Sequence, residues 1–340
     1  MQVTISTTIR LVTAYIKAKL VPFIEGSPGI GKSEIVKQIA KEYKLKVIDV
    51  RLSQCDPTDL LGFPDIHRNQ PRPKAGYVPM ETFPIEGDPI PDGYAGWLVF
   101  LDEFNSAPLA VQAAAYKLVL DRMVGIHPLH QNVAIVCAGN REQDNAIVQP
   151  MSTALQSRLA HIELVVNANE FVDWGQRNGI HHWITDYIQF KPGQVYTFMP
   201  DHTDKTYACP RTWEFANRIL KLADSFEDRL ALLTGVISEG VAREFLKFCE
   251  IYESLPKPAQ LIADPDGVAI PREPSILYAL TGTLSHNATK DNFDKLMRVI
   301  KRLPVEFQVV TMREAVRRDK TMMSHPAVQG WITDSAIALF

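Results

Sequence analysis

"EGSPGIGKSEIV", residues 25–36, packs three glycines, a proline and a lysine into nine positions. The preceding "VPFIE" (21–25) is short, apolar and partly β-branched, so it reads as a buried strand. The following "KSEIVKQIAKEYK" (32–44) puts Ile35, Ile39 and Tyr43 at helical spacing. The order is strand, glycine loop, helix. Gly26, Gly29 and Gly31 permit backbone conformations closed to other residues, so that N–H groups converge on an anion. Ser27, Pro28, Ile30 and Glu34 complete the cradle. The helix N-terminus adds partial positive charge at the same point. Lys32 reaches the β- and γ-phosphates as a point charge, and Ser33 offers a hydroxyl to Mg²⁺. Gly26, Gly31, Lys32 and Ser33 fill the whole pattern GxxxxGK[ST].

A phosphate loop that hydrolyses also needs a carboxylate for Mg²⁺ and a group to activate water. "GWLVFLDEFN" (96–105) is a continuous apolar run, as in a strand buried on both faces, and it ends in Asp102 and Glu103. Open α/β sheets bind ligands at such strand ends. Adjacent residues there point differently, so Asp102 is assigned to the metal and Glu103 to the base. A third apolar run, "NVAIVCAGN" (132–140), ends in Asn140, whose amide can hold the lytic water or the γ-phosphate.

The 340 residues amount to about two domains, and 46% apolar against 22% charged residues is a globular balance. A net charge of −3 argues against a surface given over wholly to nucleic acid. The four cysteines, Cys55, Cys137, Cys209 and Cys249, lie far apart, which disfavours a structural zinc site or a disulfide framework. The first twenty residues lack an uninterrupted apolar core, so no signal peptide is expected. No apolar run is long enough to span a bilayer. These features predict a cytoplasmic chain without membrane partners.

"GSPGIGKS", "LVFLDEFNSAPLAVQAAAYKLVLDRMV", "AGN", "ALQSRL" and "CPRTWEFANRIL" follow one another in the chain. They resemble Walker A, Walker B, sensor 1, arginine finger and sensor 2 of an AAA+ ATPase. More narrowly the chain is similar to the MoxR-like branch, which includes CbbQ- and NorQ-type activators; "DPTDLLGFPD" (56–65) resembles its "TDLLG" segment. The resemblance covers roughly residues 5–225. It implies a P-loop α/β module with a five-stranded parallel sheet, an all-helical lid and a helical C-terminal extension, divided at 1–168, 169–255 and 256–340. It implies ATP and Mg²⁺ as ligands, Arg158 as a finger reaching the neighbouring subunit's site, and Arg211 as a lid contact to the γ-phosphate. It further implies a hexameric ring that remodels a protein, with a von Willebrand factor A-domain adaptor supplied in trans. Relatives commonly carry an acidic residue just before the finger, where this chain has Ser157.

Five strands are expected, at 21–25, 46–52, 97–101, 132–138 and 161–166, with a helix at 4–19 and a hairpin within 122–133. His127 and His130 are read as solvent-facing. The proline-rich residues 62–95 occupy the place of the branch's helix-2 insertion, and their prolines rule out a long helix. Tyr77 and Phe83 are weighed there as substrate grips against surface packing. Beyond residue 168 the segments read as helices. Residues 290–320 hold nine lysines and arginines against five acids. That excess supports a second reading, a nucleic-acid motor; a third is an ATP-dependent scaffold without turnover.

Overall fold

The strand at Val21–Glu25 lies inside a parallel sheet whose two faces are covered by helices, which is why its apolar run is unbroken. The computed structural model describes residues 1–67, 74–144, 148–222 and 225–339. The first of two units comprises Met1–Asn167 and Met199–His202; the second comprises Ala168–Phe198 and Thr203–Phe340.

In chain order the first unit runs β1 (Gln2–Val3), α1 (Ile5–Lys17), β2 (Val21–Glu25), α2 (Lys32–Glu42), β3 (Leu45–Arg51), α3 (Pro57–Leu61), β4 (Phe63–His67), β5 (Lys74–Val78), β6 (Gly96–Asp102) and α4 (Leu109–Leu120). It continues with β7 (Met123–Val124), β8 (His127–Pro128), β9 (Val133–Gly139), α5 (Thr153–Gln156) and β10 (Leu159–Leu164). The main sheet is ordered β1-β10-β2-β9-β6-β3 and every pairing is parallel. It therefore has six strands rather than the expected five. The extra one, β1, is two residues long and pairs with the end of β10, too short to leave an apolar signature. Phe23, Ile24, Leu98, Val99, Phe100, Leu101, Val136 and Cys137 are all buried, each large side chain worth about 1.5–3 kcal/mol against exposure.

Two small hairpins stand apart from the sheet, β4–β5 and β7–β8. The second is the hairpin expected within 122–133. The first lies in the proline-rich stretch, where the sequence excluded a long helix but did not suggest strands; residues 68–73 of that stretch lie outside the described residues. Tyr77 is 43% exposed, whereas Phe83 is 3% exposed and belongs to the core. His127 and His130 are not simply solvent-facing. The Nε2 of His127 lies 2.9 Å from the Tyr77 carbonyl, and His130 meets Trp97 edge-on at 5.0 Å.

The second unit is helical: α6 (Ala168–Arg177), α7 (His182–Phe190), α8 (Pro210–Leu220), α9 (Phe226–Ile237), α10 (Glu239–Ser254), α11 (Pro258–Ala263), α12 (Pro274–His286), α13 (Phe293–Ile300), α14 (Val305–Arg318) and α15 (Pro326–Leu339). Pro210 occupies the first turn of α8, where its missing N–H costs no helical bond. Among the described residues no helix is long and apolar enough to cross a membrane.

Candidate nucleotide site

Register brings the functional strand ends level. Glu25 pairs with Gly139 across β2 and β9, and Leu101 pairs with Cys137 across β6 and β9. Asp102 and Asn140 thus emerge beside the loop that follows β2. The loop closes on α2 through Gly31, which caps the helix at φ 102°, ψ 17°, a left-handed conformation that strains any side-chain-bearing residue.

Lys32 is the first residue of α2 and folds back over the loop. Its ammonium donates to the Gly26 carbonyl (2.5 Å), the Ser27 carbonyl (3.1 Å) and Asn140 Oδ1 (3.0 Å). Ser33 Oγ lies 3.4 Å from Asp102 Oδ2, and Asp102 Oδ1 accepts from the Glu103 amide at 2.8 Å. Burial pushes the Asp102 carboxyl above the usual aspartate range, against that amide bond and the nearby Lys32, which pull it down. Lys32, Ser33, Asp102 and Asn140, singled out from sequence, therefore share one site. Glu34 sits in the first turn of α2 with its side chain exposed.

Glu103 adopts φ 54°, ψ 34°, a left-handed conformation that costs a non-glycine residue on the order of 1–3 kcal/mol. Its carboxylate turns away from Asp102 and accepts a hydrogen bond from Ser53, beyond the end of β3. The two adjacent acids thus face different partners, as the sequence suggests.

Two residues that sequence reading passed over hold this arrangement. Asn105 is 3% exposed; its amide donates to the Asn140 carbonyl (2.7 Å) while its Oδ1 accepts from the Asn140 amide (3.0 Å). This pair of hydrogen bonds pins the strand-tip residue from behind. It also requires glycine at 139, where a Cβ would stand 2.3 Å from Asn105 Oδ1. Arg141 reaches from the segment after β9 to Ser27 Oγ in the phosphate loop at 2.5 Å and is forked onto Asp144. The only sequence hint was position: Asn105 lies two residues after the acidic pair, and Arg141 directly after Asn140.

Arg158 follows α5 and is exposed. Its guanidinium donates to the Ala154 carbonyl at 2.8 Å and lies 5.4 Å from the Tyr116 ring centroid, so α5 and Tyr116 on α4 both contact it. Arg211 is exposed on α8 and belongs to the second unit. A polar cleft of about 570 Å³ opens between β2, β10 and residues 149–157, lined by Glu25, Asn105, Glu142, Gln156 and His161 among others.

Residues 22–159 match the family model described as AAA domain, dynein-related subfamily. The match runs from β2 to the first residue of β10, so it takes in the phosphate loop, Asp102, Glu103, Asn140 and Arg158. The first unit is an α/β fold with a phosphate loop, and its residues 22–159 are similar to an AAA domain. No curated protein matches the chain. Among solved structures, two mutants of Thermotoga maritima RuvB are 14% identical, with 81% and 82% of this chain and 80% of theirs covered, both at TM-score 0.39. A Cytophaga hutchinsonii structure, named as an ATPase only provisionally, is 14% identical over 78% of this chain and 90% of its own at TM-score 0.37.

The donors at these strand ends suit a hydrated magnesium nucleotide. Ser33 Oγ and Asp102 Oδ2 are adjacent hard oxygens. Mg²⁺ ordinarily takes one or two such protein ligands, the rest being water and substrate phosphate.

Proposed function

We propose that the chain hydrolyses Mg²⁺-ATP in an oligomeric ring, of MoxR-like type and most simply a hexamer, in the cytoplasm. It would use the cycle to remodel or activate a partner protein, with an adaptor such as a von Willebrand factor A domain supplied in trans. The observation carrying this reading is the convergence of Lys32, Ser33, Asp102 and Asn140 on one glycine loop. Lys32 and the loop amides bind the phosphates, while Ser33 and Asp102 hold the metal, which supplies charge neutralisation when bound. Glu103 takes the proton of the attacking water, and Asn140 orients it. A planar guanidinium matches charge spread over the transferred phosphoryl oxygens. Arg158, exposed and pre-oriented by Tyr116, is suited to supply it to a neighbouring copy, and Arg211 to serve from the helical unit.

The basic excess of 290–320 gives the nucleic-acid alternative little support, because several of its guanidiniums already have partners. Arg298 pairs with Asp266, Arg302 donates to the Pro265 and Val268 carbonyls, and Arg317 pairs with Glu314 and Asp173.

Glu103→Gln tests the reading. It should lower turnover about 10²–10⁴-fold, the usual worth of a general base. ATP binding should persist, and the ring should become trapped and visible by sedimentation in ATP. A variant that turns over ATP at the normal rate would remove Glu103 from the base role.

A further inference from the structure

The phosphate loop is gripped at two points by two residues adjacent in sequence. Asn140 meets its far end at Lys32, 3.0 Å from the ammonium. Arg141 meets its near end at Ser27, 2.5 Å from the hydroxyl. Between Gly26 and Gly31 the sequence reads Gly, Ser, Pro, Gly, Ile, Gly, so Ser27 is the one residue of that span with a hydrogen-bonding side chain. The near grip is sheltered at its base: Ser27 is 2% exposed, and the Asp144 side chain that anchors Arg141 is 2% exposed.

The anchor is built for a guanidinium. Arg141 Nη2 donates to Asp144 Oδ1 (2.8 Å) and Nε to Asp144 Oδ2 (3.1 Å), a planar fork that fixes the direction of the side chain. Nη1 lies 3.7 Å from Glu163 at the end of β10. One guanidinium thus ties together the phosphate loop, the sensor segment and the strand that follows the finger.

We propose that Arg141 is a positioning residue that braces the phosphate loop through Ser27 and so sets its affinity for a nucleoside diphosphate as much as for a triphosphate. This rests on the nucleotide reading of the loop. A loop held in its binding shape loses less freedom on capturing phosphate. The brace acts on the cradle common to ADP and ATP, whereas Asn140, which accepts from Lys32, is read as acting on turnover. Arg141 and Ser27 should therefore govern Kd and KM.

The test is equilibrium titration of the full chain with the fluorescent analogue mant-ADP, for wild type, Ser27→Ala, Arg141→Lys and the double variant. Arg141→Lys keeps a cation facing Asp144, which protects the fold, but cannot fork Asp144 and reach Ser27 at once. Each single substitution should raise Kd about tenfold, the worth of a hydrogen bond to a charged group. Because the two residues act through one bond, the double variant should bind no more weakly than either single, with thermal melts unchanged. Singles that bind like wild type, or losses that multiply to about a hundredfold as for independent sites, would overturn the brace. A wild-type chain that binds no mant-ADP would overturn the nucleotide reading, and the brace with it.

Discussion

In the sheet unit Lys32, Asp102 and Arg141 gather half-exposed at the ends of neighbouring strands, whereas in the helical unit charged groups are sunk into the packing. Glu314 is 2% exposed; it accepts from Gln176 at 2.7 Å and pairs with Arg317 at 2.9 Å, and Arg317 also meets Asp173. His181, His182 and His286 stack face to face with centroid spacings of 4.5 and 4.7 Å, beside Arg318, which lies 3.6 Å from the buried Asp186. Burial, then neighbouring His181, His286 and Arg318, pushes His182 down to about 3. Titration is thus more strongly perturbed in the helical unit than at the phosphate loop. Perturbation alone would send a search for an active site to the helical unit, away from the glycine loop. Ionisable groups that complete each other hold a fold; those clustered at strand tips around a glycine loop are arranged for something that arrives.

The largest effect should come from separating function from stability in the sheet unit. Lys32→Ala should abolish nucleotide binding, and Arg158→Ala should lower turnover about 10³–10⁵-fold, the range for an arginine finger. Neither should shift the thermal melt much, since Lys32 is itself half-exposed and Arg158 exposed. Mixing the two inactive variants should restore part of the turnover, because an intact loop then meets an intact finger; no recovery at any ratio would speak against a site shared between subunits.

The helical unit should behave in the opposite way. Glu314→Ala should cost about 3 kcal/mol in urea unfolding, the low end for breaking a buried pair, because Asp173 still faces Arg317. Nucleotide affinity should stay at the wild-type level. A Glu314 variant that unfolds normally but loses nucleotide would erase the contrast.

The smallest effect is on pH. The folded histidine stack holds neutral rings, while unfolded histidine takes up a proton near pH 6.5. The unfolded state binds more protons below that point, so stability is flat above it and falls as the medium is acidified. His182 alone should account for about 2 kcal/mol by pH 5. The midpoint of urea unfolding followed from pH 7.5 to 5 would show the slope, and His182→Gln should flatten it.

Much of the sheet unit was legible in the sequence because strands buried on both faces leave unbroken apolar runs, and because a phosphate loop requires glycines at fixed spacing. Lys32, Ser33, Asp102 and Asn140 could be placed together on those grounds. β1 was missed because two residues carry no periodicity, and the β4–β5 hairpin because Phe63, Ile66, Tyr77 and Val78 are exposed rather than alternately buried. Asn105, Arg141 and Ser53 were passed over for a different reason. Their roles depend on partners 35, 114 and 50 positions away, and nothing local marks such a partnership. His286 joins the stack of His181 and His182 from another helix, which is equally silent in the sequence.

The missing side chain at 139 has a consequence for any alignment in which this protein is placed. The amide of Asn105 fills the volume where a methyl group would stand, so the two positions form a single steric unit. Chains that keep an asparagine two places after the acidic pair should keep glycine ahead of the strand-tip amide. Chains that bring alanine or serine to that place should have given up the asparagine, and would need some other means of holding the amide in line.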